Sequence, residues 1–405
     1  MAVGLTQDTE LFPVDGIRLA TGCAGIKQHQ KDDLVIIELC DGARTAAVFT
    51  RNAFCAAPII IARKHLQNNQ PRMFIINSGN ANAGTGQQGI DDANACCKSL
   101  ASLAGCSADQ ILPFSTGVIG EPLPVDKIQS VLPTMHGELS GSSWQQAACA
   151  IMTTDTAPKA ISKKIEMAGE TITITGIAKG SGMIRPDMAT MLAYIATDAA
   201  VSQSLLQTCL ENATKKSFNR ITVDGDTSTN DACMLVATGR SALPEITGQD
   251  NCYHQFFAAV TEVCEWLAQA IIRDGEGVTK FITVHVMQGQ SEQECLDVAY
   301  AIAHSPLVKT AFFASDPNWG RILAAVGRSG INDLDIHSVA IYLDDICIVR
   351  NGERAEDYTE QAGQVVMDKD EIMIKVDLGR GQYAEKVWTT DLSHEYIRIN
   401  AEYRT

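Results

Sequence analysis

Residues 179–198 read KGSGMIRPDMATMLAYIATD. A glycine-rich loop ends at Ala189-Thr190, and an apolar run begins at once. A hydroxyl at the head of a buried strand, behind a loop that can bend, suits attack on the peptide bond before it. Such an N→O acyl shift needs the Thr190 oxygen beside the Ala189 carbonyl, and a small residue at 189 lets the loop fold back. Cleavage would leave Thr190 with a free α-amine of pKa about 7.7–8.0. That amine could serve as base for its own hydroxyl, a known way to activate threonine. Against this stands the plainer reading of Thr190 as a β-branched residue opening a strand, which the local pattern alone favours. Lys179 and the glycines after it resemble part of a phosphate loop. The full GxxxxGK(S/T) is absent, however, and the lysine comes before the glycines.

The elements around this segment follow from periodicity. Residues 34–49 read as two short strands, LVIIEL and TAAVF, joined by a turn at 40–43. MFII at 73–76 is a buried strand that runs into a Gly- and Asn-rich loop at 77–89, where small residues permit close backbone approach. Residues 90–105 have helical spacing, and Ser142 or Ser143 is placed to cap a helix near 142–152. TITITGIA at 171–178 alternates as a strand, and 191–197 is a second, buried one. Helices are predicted at 202–215, 253–273, 292–304 and 319–327. Strands are predicted at 232–238, 281–287, 339–343, 371–377 and 384–389. Many strands follow one another with no helix between, which favours an α+β, layered αββα fold over a doubly wound one.

Composition narrows the function. The chain has 405 residues, is 45% hydrophobic and 20% charged, and carries a net charge of -16. Disorder would need less apolar content, and a nucleic-acid partner would need a basic surface. The length suits two lobes or one large layered domain, yet no repeat, linker or shift in composition marks a boundary. Thirteen cysteines lie scattered without CxxC or structural-zinc spacing, as expected of reduced thiols packed in a cytosolic core. The opening MAVGLTQDTELFPVDG lacks a basic and an apolar region, so no secretory signal is expected. No apolar run reaches membrane-spanning length. A cytoplasmic location is the default. Asp224, Asp226 and Asp231 form an acidic group that could suggest Mg²⁺; they are read here as loop-turn residues, with no metal site.

KGSGMIRPDMATMLAYIATDA also resembles the autocleavage motif of the glutamate N-acetyltransferase (ornithine acetyltransferase) family. The likeness extends, in the family's order, to VFTRNAFCAAPI (48–59), INSGNANAGTG (76–86), STGVIG (115–120) and AIMTTDTAPK (150–159). It continues through DGDTSTND (224–231), RDGEGVTK (273–280), SDPNWGRI (315–322) and RINAEYRT (398–405). Nine ordered blocks over nearly the whole chain are far more specific than any one of them. Arg185 falls at a variable position and Asp187 where Asn is also common; neither touches an assigned role.

The resemblance implies a fold like that of N-terminal-nucleophile enzymes and cleavage between Ala189 and Thr190. The products would be an α chain of residues 1–189 and a β chain of residues 190–405, assembled as an α₂β₂ heterotetramer. It makes Thr190 the nucleophile and assigns the oxyanion hole to the Thr116 hydroxyl and the Gly117 N–H. It assigns substrate contacts to Thr153, Lys179, Thr190, Glu276, Asn400 and Thr405, with Thr153 chosen over Thr154 and Thr156. Lys179 suits a carboxylate, and Glu276 suits the ammonium of ornithine. The implied reaction is ping-pong: acetyl passes from N-acetylornithine to Thr190 and then to glutamate, in arginine biosynthesis. No metal or redox cofactor is expected. Many family members also take acetyl from acetyl-CoA, and the expectation here is of that bifunctional kind. The nearest alternative is a self-processing aminopeptidase or amidase that hands the acyl group to water. A non-catalytic binding protein and a nucleotide-binding protein are the others.

Overall fold

The computed structural model describes residues 2–5, 10–27, 31–185 and 191–402. The chain divides into two compact units. One comprises residues 6–219 and 226–271, the other residues 1–5, 220–225 and 272–405.

In the larger unit the strands are β1 (Ile17–Gly22), β2 (Leu34–Leu39), β3 (Arg44–Phe49), β4 (Met73–Asn80), β5 (Ile111–Val118), β6 (Lys159–Met167), β7 (Glu170–Lys179), β8 (Leu192–Thr197) and, later, β10 (Ala232–Ala237). They form two sheets, ordered β1-β2-β4-β5 and β3-β10-β8-β7-β6. The helices are α1 (Ala57–Asn68), α2 (Gly86–Ala104), α3 (Val125–Gly137), α4 (Trp144–Ala150), α5 (Gln203–Lys216) and α6 (Asn251–Arg273), whose last two residues belong to the smaller unit.

Alternation of side chains along a strand explains the layering. In β2, Val35 and Ile37 enter a core shared with Leu192, Tyr194 and Met234 of the other sheet. Leu34 and Ile36 point the opposite way, into a second core with Cys97 and Leu100 of α2 and Leu132 of α3. The rings of Phe74, Phe114 and Tyr194 pack against one another across the two sheets, with centroids 5.3–6.1 Å apart. On the far side of the five-stranded sheet, α6 comes so close that a Cβ on Gly176 would lie 3.1 Å from Leu267 and 3.3 Å from Val263. Beside it, Gln207 of α5 caps the open edge of β3, bonding both the N–H and the C=O of Ala47, which shields that edge from further pairing. The order of layers is helix, sheet, sheet, helix: the expected αββα sandwich.

In the smaller unit, β9 (Ile221–Thr222), β11 (Phe281–Gly289), β12 (Ala340–Leu343), β13 (Ile346–Arg350), β14 (Glu353–Arg354), β15 (Glu371–Asp377) and β16 (Tyr383–Thr390) form one sheet, ordered β14-β13-β12-β15-β11-β16-β9. The core on this sheet takes in α7 (Glu292–Ala303), α8 (Pro306–Phe313), α9 (Trp319–Gly327) and α10 (Glu360–Met367). The last helix is α11 (His394–Ala401).

LVIIEL and TAAVF are strands joined by a turn, as expected, and they enter different sheets, so the link at 40–43 crosses between layers. Two expectations need correction. The MFII strand does not stop at residue 76; β4 runs on to Asn80. Six of the thirteen cysteines are buried, whereas five are half-buried and Cys23 and Cys149 are exposed. All thirteen are free thiols. Among the described residues, no helix is long and apolar enough to cross a membrane.

Candidate active site

The polar end of the larger unit is built where β4 and β5 run in parallel. Their ladder sets Ser78 opposite Thr116 and Gly79 opposite Gly117. Both glycines have positive φ, +101° and +136°. A Cβ on Gly117 would sit 2.5 Å from the Asn80 nitrogen and overlap the Gly79 carbonyl. Only glycine gives this approach, and it leaves the Gly117 backbone uncovered by a side chain of its own. Asn230, buried just before β10, ties the two sheets together here. Its amide donates to Ala81 O at 2.6 Å and to Ser115 O at 2.9 Å. Ser115 Oγ in turn donates to Asn77 Oδ1 at 2.5 Å.

Lys179 ends β7, opposite Leu192 at the start of β8. Its ammonium donates to Thr116 Oγ1 at 3.2 Å. An ammonium can only donate, so the hydroxyl proton of Thr116 is directed elsewhere. Thr116 and Lys179 are each 9% exposed.

Beneath them lies Asp155, fully buried. Oδ1 accepts from Lys159 Nζ at 2.6 Å and from Gly180 N at 2.8 Å, and Oδ2 accepts from Thr153 N at 2.9 Å. Burial alone would raise this carboxyl, yet the ammonium groups of Lys159 and Lys179 hold it well below the usual carboxylate range. The carboxylate thereby fixes the backbone at Thr153 and at the loop after Lys179 together. The neighbouring Thr154 hydroxyl is engaged with Ser181 Oγ at 2.7 Å.

In the smaller unit, Glu276 stands in a tight loop and is 8% exposed. Its Oε2 accepts from Asn400 Nδ2 at 2.7 Å. Gly277 follows with φ +67°, and its carbonyl accepts from Ser393 Oγ at 2.6 Å. Asp391 holds the next turn by accepting from the N–H groups of Thr279 and Lys280 and from the Thr279 hydroxyl.

The structure therefore brings Thr116, Gly117 and Lys179 together, with Thr153 tied to them through Asp155, and separately joins Glu276 to Asn400. Ala189, Thr190 and Thr405 lie outside the described residues. Met191, next to Thr190, accepts from Ala232 N at 2.9 Å. Asp231 lies in the loop before β10, as read from sequence, but it is buried, at 2% exposed, and burial pushes its carboxyl well above the usual range despite help from Ser228 and Lys179. Sequence reasoning also gave no role to Asp155, Lys159 or Asn230. The only available signal was a carboxylate and an ammonium four residues apart in an otherwise neutral stretch.

The layered fold defines an αββα protein that gathers a hydroxyl, a glycine and a lysine at one end of its sheets. A model of the ArgJ family matches residues 18–405. The arginine biosynthesis bifunctional protein ArgJ of Pseudomonas fluorescens (strain Pf0-1) is 56% identical over 406 residues, covering 100% of both chains. The protein of the same name from Methylococcus capsulatus is 57% identical over 399 residues, covering 98% of each. The crystal structure of arginine biosynthesis bifunctional protein ArgJ from Bacillus halodurans is similar with a TM-score of 0.50 at 39% identity, over 52% of this chain and 99% of that one. The chain belongs to the ArgJ family.

Proposed function

We propose that this protein is an arginine-biosynthesis acetyltransferase that moves acetyl from N-acetylornithine to glutamate through Thr190. The chain first cleaves itself between Ala189 and Thr190, giving residues 1–189 and 190–405, which pair as an α₂β₂ heterotetramer in the cytoplasm. The freed α-amine takes the proton of the Thr190 hydroxyl as its oxygen attacks the acetyl carbonyl. The Thr116 hydroxyl and Gly117 N–H stabilise the oxyanion. Ornithine leaves, and the amine of glutamate then takes the acetyl group. Thr153, Lys179, Glu276, Asn400 and Thr405 hold the substrates, with Lys179 toward a carboxylate and Glu276 toward the ornithine ammonium. Acetyl-CoA serves as a second donor, a reading supported by the word bifunctional in the relatives' names.

The observation that carries this reading is the Lys179–Thr116 hydrogen bond beside Gly117. It leaves the Thr116 hydroxyl proton free to be given to another acceptor, which supports its reading as an oxyanion donor. The test is the denatured mass of the purified protein beside that of Thr190→Ala. Two fragments whose masses sum to the chain plus one water, absent from the variant, support the nucleophile. A single intact, folded 43.6 kDa chain refutes it. Acetate release in place of N-acetylglutamate would make the protein an amidase.

A further inference from the structure

We infer that Lys27 is a second anion anchor of this site, holding the side-chain carboxylate of the acceptor and so selecting a dicarboxylic amino acid. The inference rests on the acetyl-transfer reading above and adds to it a residue that sets acceptor specificity.

Lys27 sits in the loop between β1 and β2, and its stem lies over the glycine pair of the oxyanion pocket. A Cβ on Gly79 would come within 3.2 Å of Lys27 Cγ, and Gly79 is the ladder partner of Gly117. The ammonium donates to Ala150 O at 2.8 Å and to Asp32 O at 3.3 Å. Both acceptors are neutral backbone carbonyls, and among the described residues Lys27 has no ion-pair partner. The two buried carboxylates nearby are already committed. Asp33 accepts from the N–H groups of Ala24, Ile26 and Lys27, and Asp155 is used by Lys159, Gly180 and Thr153.

Burial accordingly pushes the Lys27 ammonium down to about 8; Asp33 and Asp155 oppose the shift, while Lys179 and Lys31 add to it. A half-buried cation that feels a second lysine and has no ion-pair partner among the described residues gains when an anion arrives. The substrates differ in the feature this charge would sense. Both carry the α-carboxylate assigned to Lys179. N-acetylornithine ends in an ammonium, which Lys27 repels, whereas glutamate ends in a carboxylate, which it attracts.

The experiment compares wild type with Lys27→Met and Lys27→Arg, using glutamate and glutamine as acceptors and N-acetylornithine as donor. The expected result for Lys27→Met is a KM for glutamate raised roughly 10- to 100-fold, the scale of one charged hydrogen bond. Its preference for glutamate over glutamine collapses, acetylation of Thr190 by the donor is not slowed, since the charge that repels the donor's ammonium is gone, and Lys27→Arg restores the preference. A Lys27→Met enzyme that still discriminates as wild type does, or that loses the donor half-reaction in parallel, overturns the inference. Reductive methylation of the wild-type enzyme gives a readout that needs no variant. Glutamate should protect Lys27 from labelling and N-acetylornithine should not, and equal labelling under both overturns the assignment. A wild-type enzyme that transfers no acetyl group at all refutes the reaction itself, a different outcome from either of these.

Discussion

Replacing Asp155 by Asn takes from the fully buried Lys159 ammonium the carboxylate that pairs with it at 2.6 Å. Breaking a buried pair from one side costs about 3–5 kcal/mol, because the remaining charge keeps its desolvation penalty and loses its compensation. The amide cannot repair the loss. With its oxygen turned toward Lys159 and Gly180, its NH₂ faces the Thr153 N–H, donor against donor. In a unit of this size each kcal/mol moves the midpoint by about 2–4 °C, so the melting temperature should fall by about 10 °C. Calorimetry of Asp155→Asn, Lys159→Met and the double variant checks the origin of the effect. If the charge pair is the cause, the double variant recovers at least half of the loss, a coupling of about 2 kcal/mol. Single effects that simply add would refute the reasoning. The sign with pH is also set. The folded carboxyl lies below its unfolded value, so the contribution is complete above about pH 4 and is lost as pH falls further. The gap between wild type and Asp155→Asn should close there.

Thr116→Val removes the hydroxyl proposed above as an oxyanion donor while keeping shape; kcat should drop by about 10²–10³ with KM little changed, measured by steady-state kinetics. Tyr194→Phe deletes a buried hydroxyl that has no hydrogen-bond partner among the described residues, and should raise stability in urea by about 1 kcal/mol. Lys309, buried against Thr389 and Thr390, is pushed by desolvation down to about 8 although Asp391 and Asp224 pull the other way. Between about pH 8 and 10.4 the unfolded chain holds a proton that the folded one has released, so Lys309 disfavours folding less as pH rises. Stability of wild type relative to Lys309→Met should therefore climb across that window in denaturant titrations.

Long, well-patterned segments were legible in the sequence. The strands at 171–178 and 191–197 and the helix at 253–273 appear within a residue or two as β7, β8 and α6. What escaped has physical causes. β5 contains Pro113 and ends in Ser-Thr-Gly, an unlikely strand by composition, but it is the edge of its sheet, where a missing N–H costs little. β6 carries Lys163, Lys164 and Glu166 because it too is an edge, where charge discourages further pairing. α3 holds Pro133 in its interior, where a proline argues against a helix, and no helix was assigned there from sequence. β4 keeps Asn77, Ser78 and Asn80 in the strand because their side chains donate to the backbone carbonyls of Asn80, Ala150 and Pro122, a compensation that exists only after folding. At the site, Thr116, Gly117 and Lys179 were recoverable through the ordered blocks. Asp155, Asn230 and Lys27 were given no role, since the contacts that join them to the site, Asp155 to Gly180, Asn230 to Ser115 and Lys27 to Ala150, span twenty or more residues that no local pattern encodes.

The five-stranded sheet runs β3-β10-β8-β7-β6. A break before Thr190 would assign β3, β7 and β6 to one polypeptide and the central pair β10 and β8 to the other. Six rungs join β3 to β10 and six more join β7 to β8, so the nick would fall inside a woven fabric. The two pieces would travel as a single body on a native gel, and they would not be traded between molecules. Once fully denatured, the second piece would have to present two apolar central strands with neither neighbour attached to the same chain. The intact precursor is then the species that learns the fold, and the mature enzyme is one that can be made once but not reassembled from its halves.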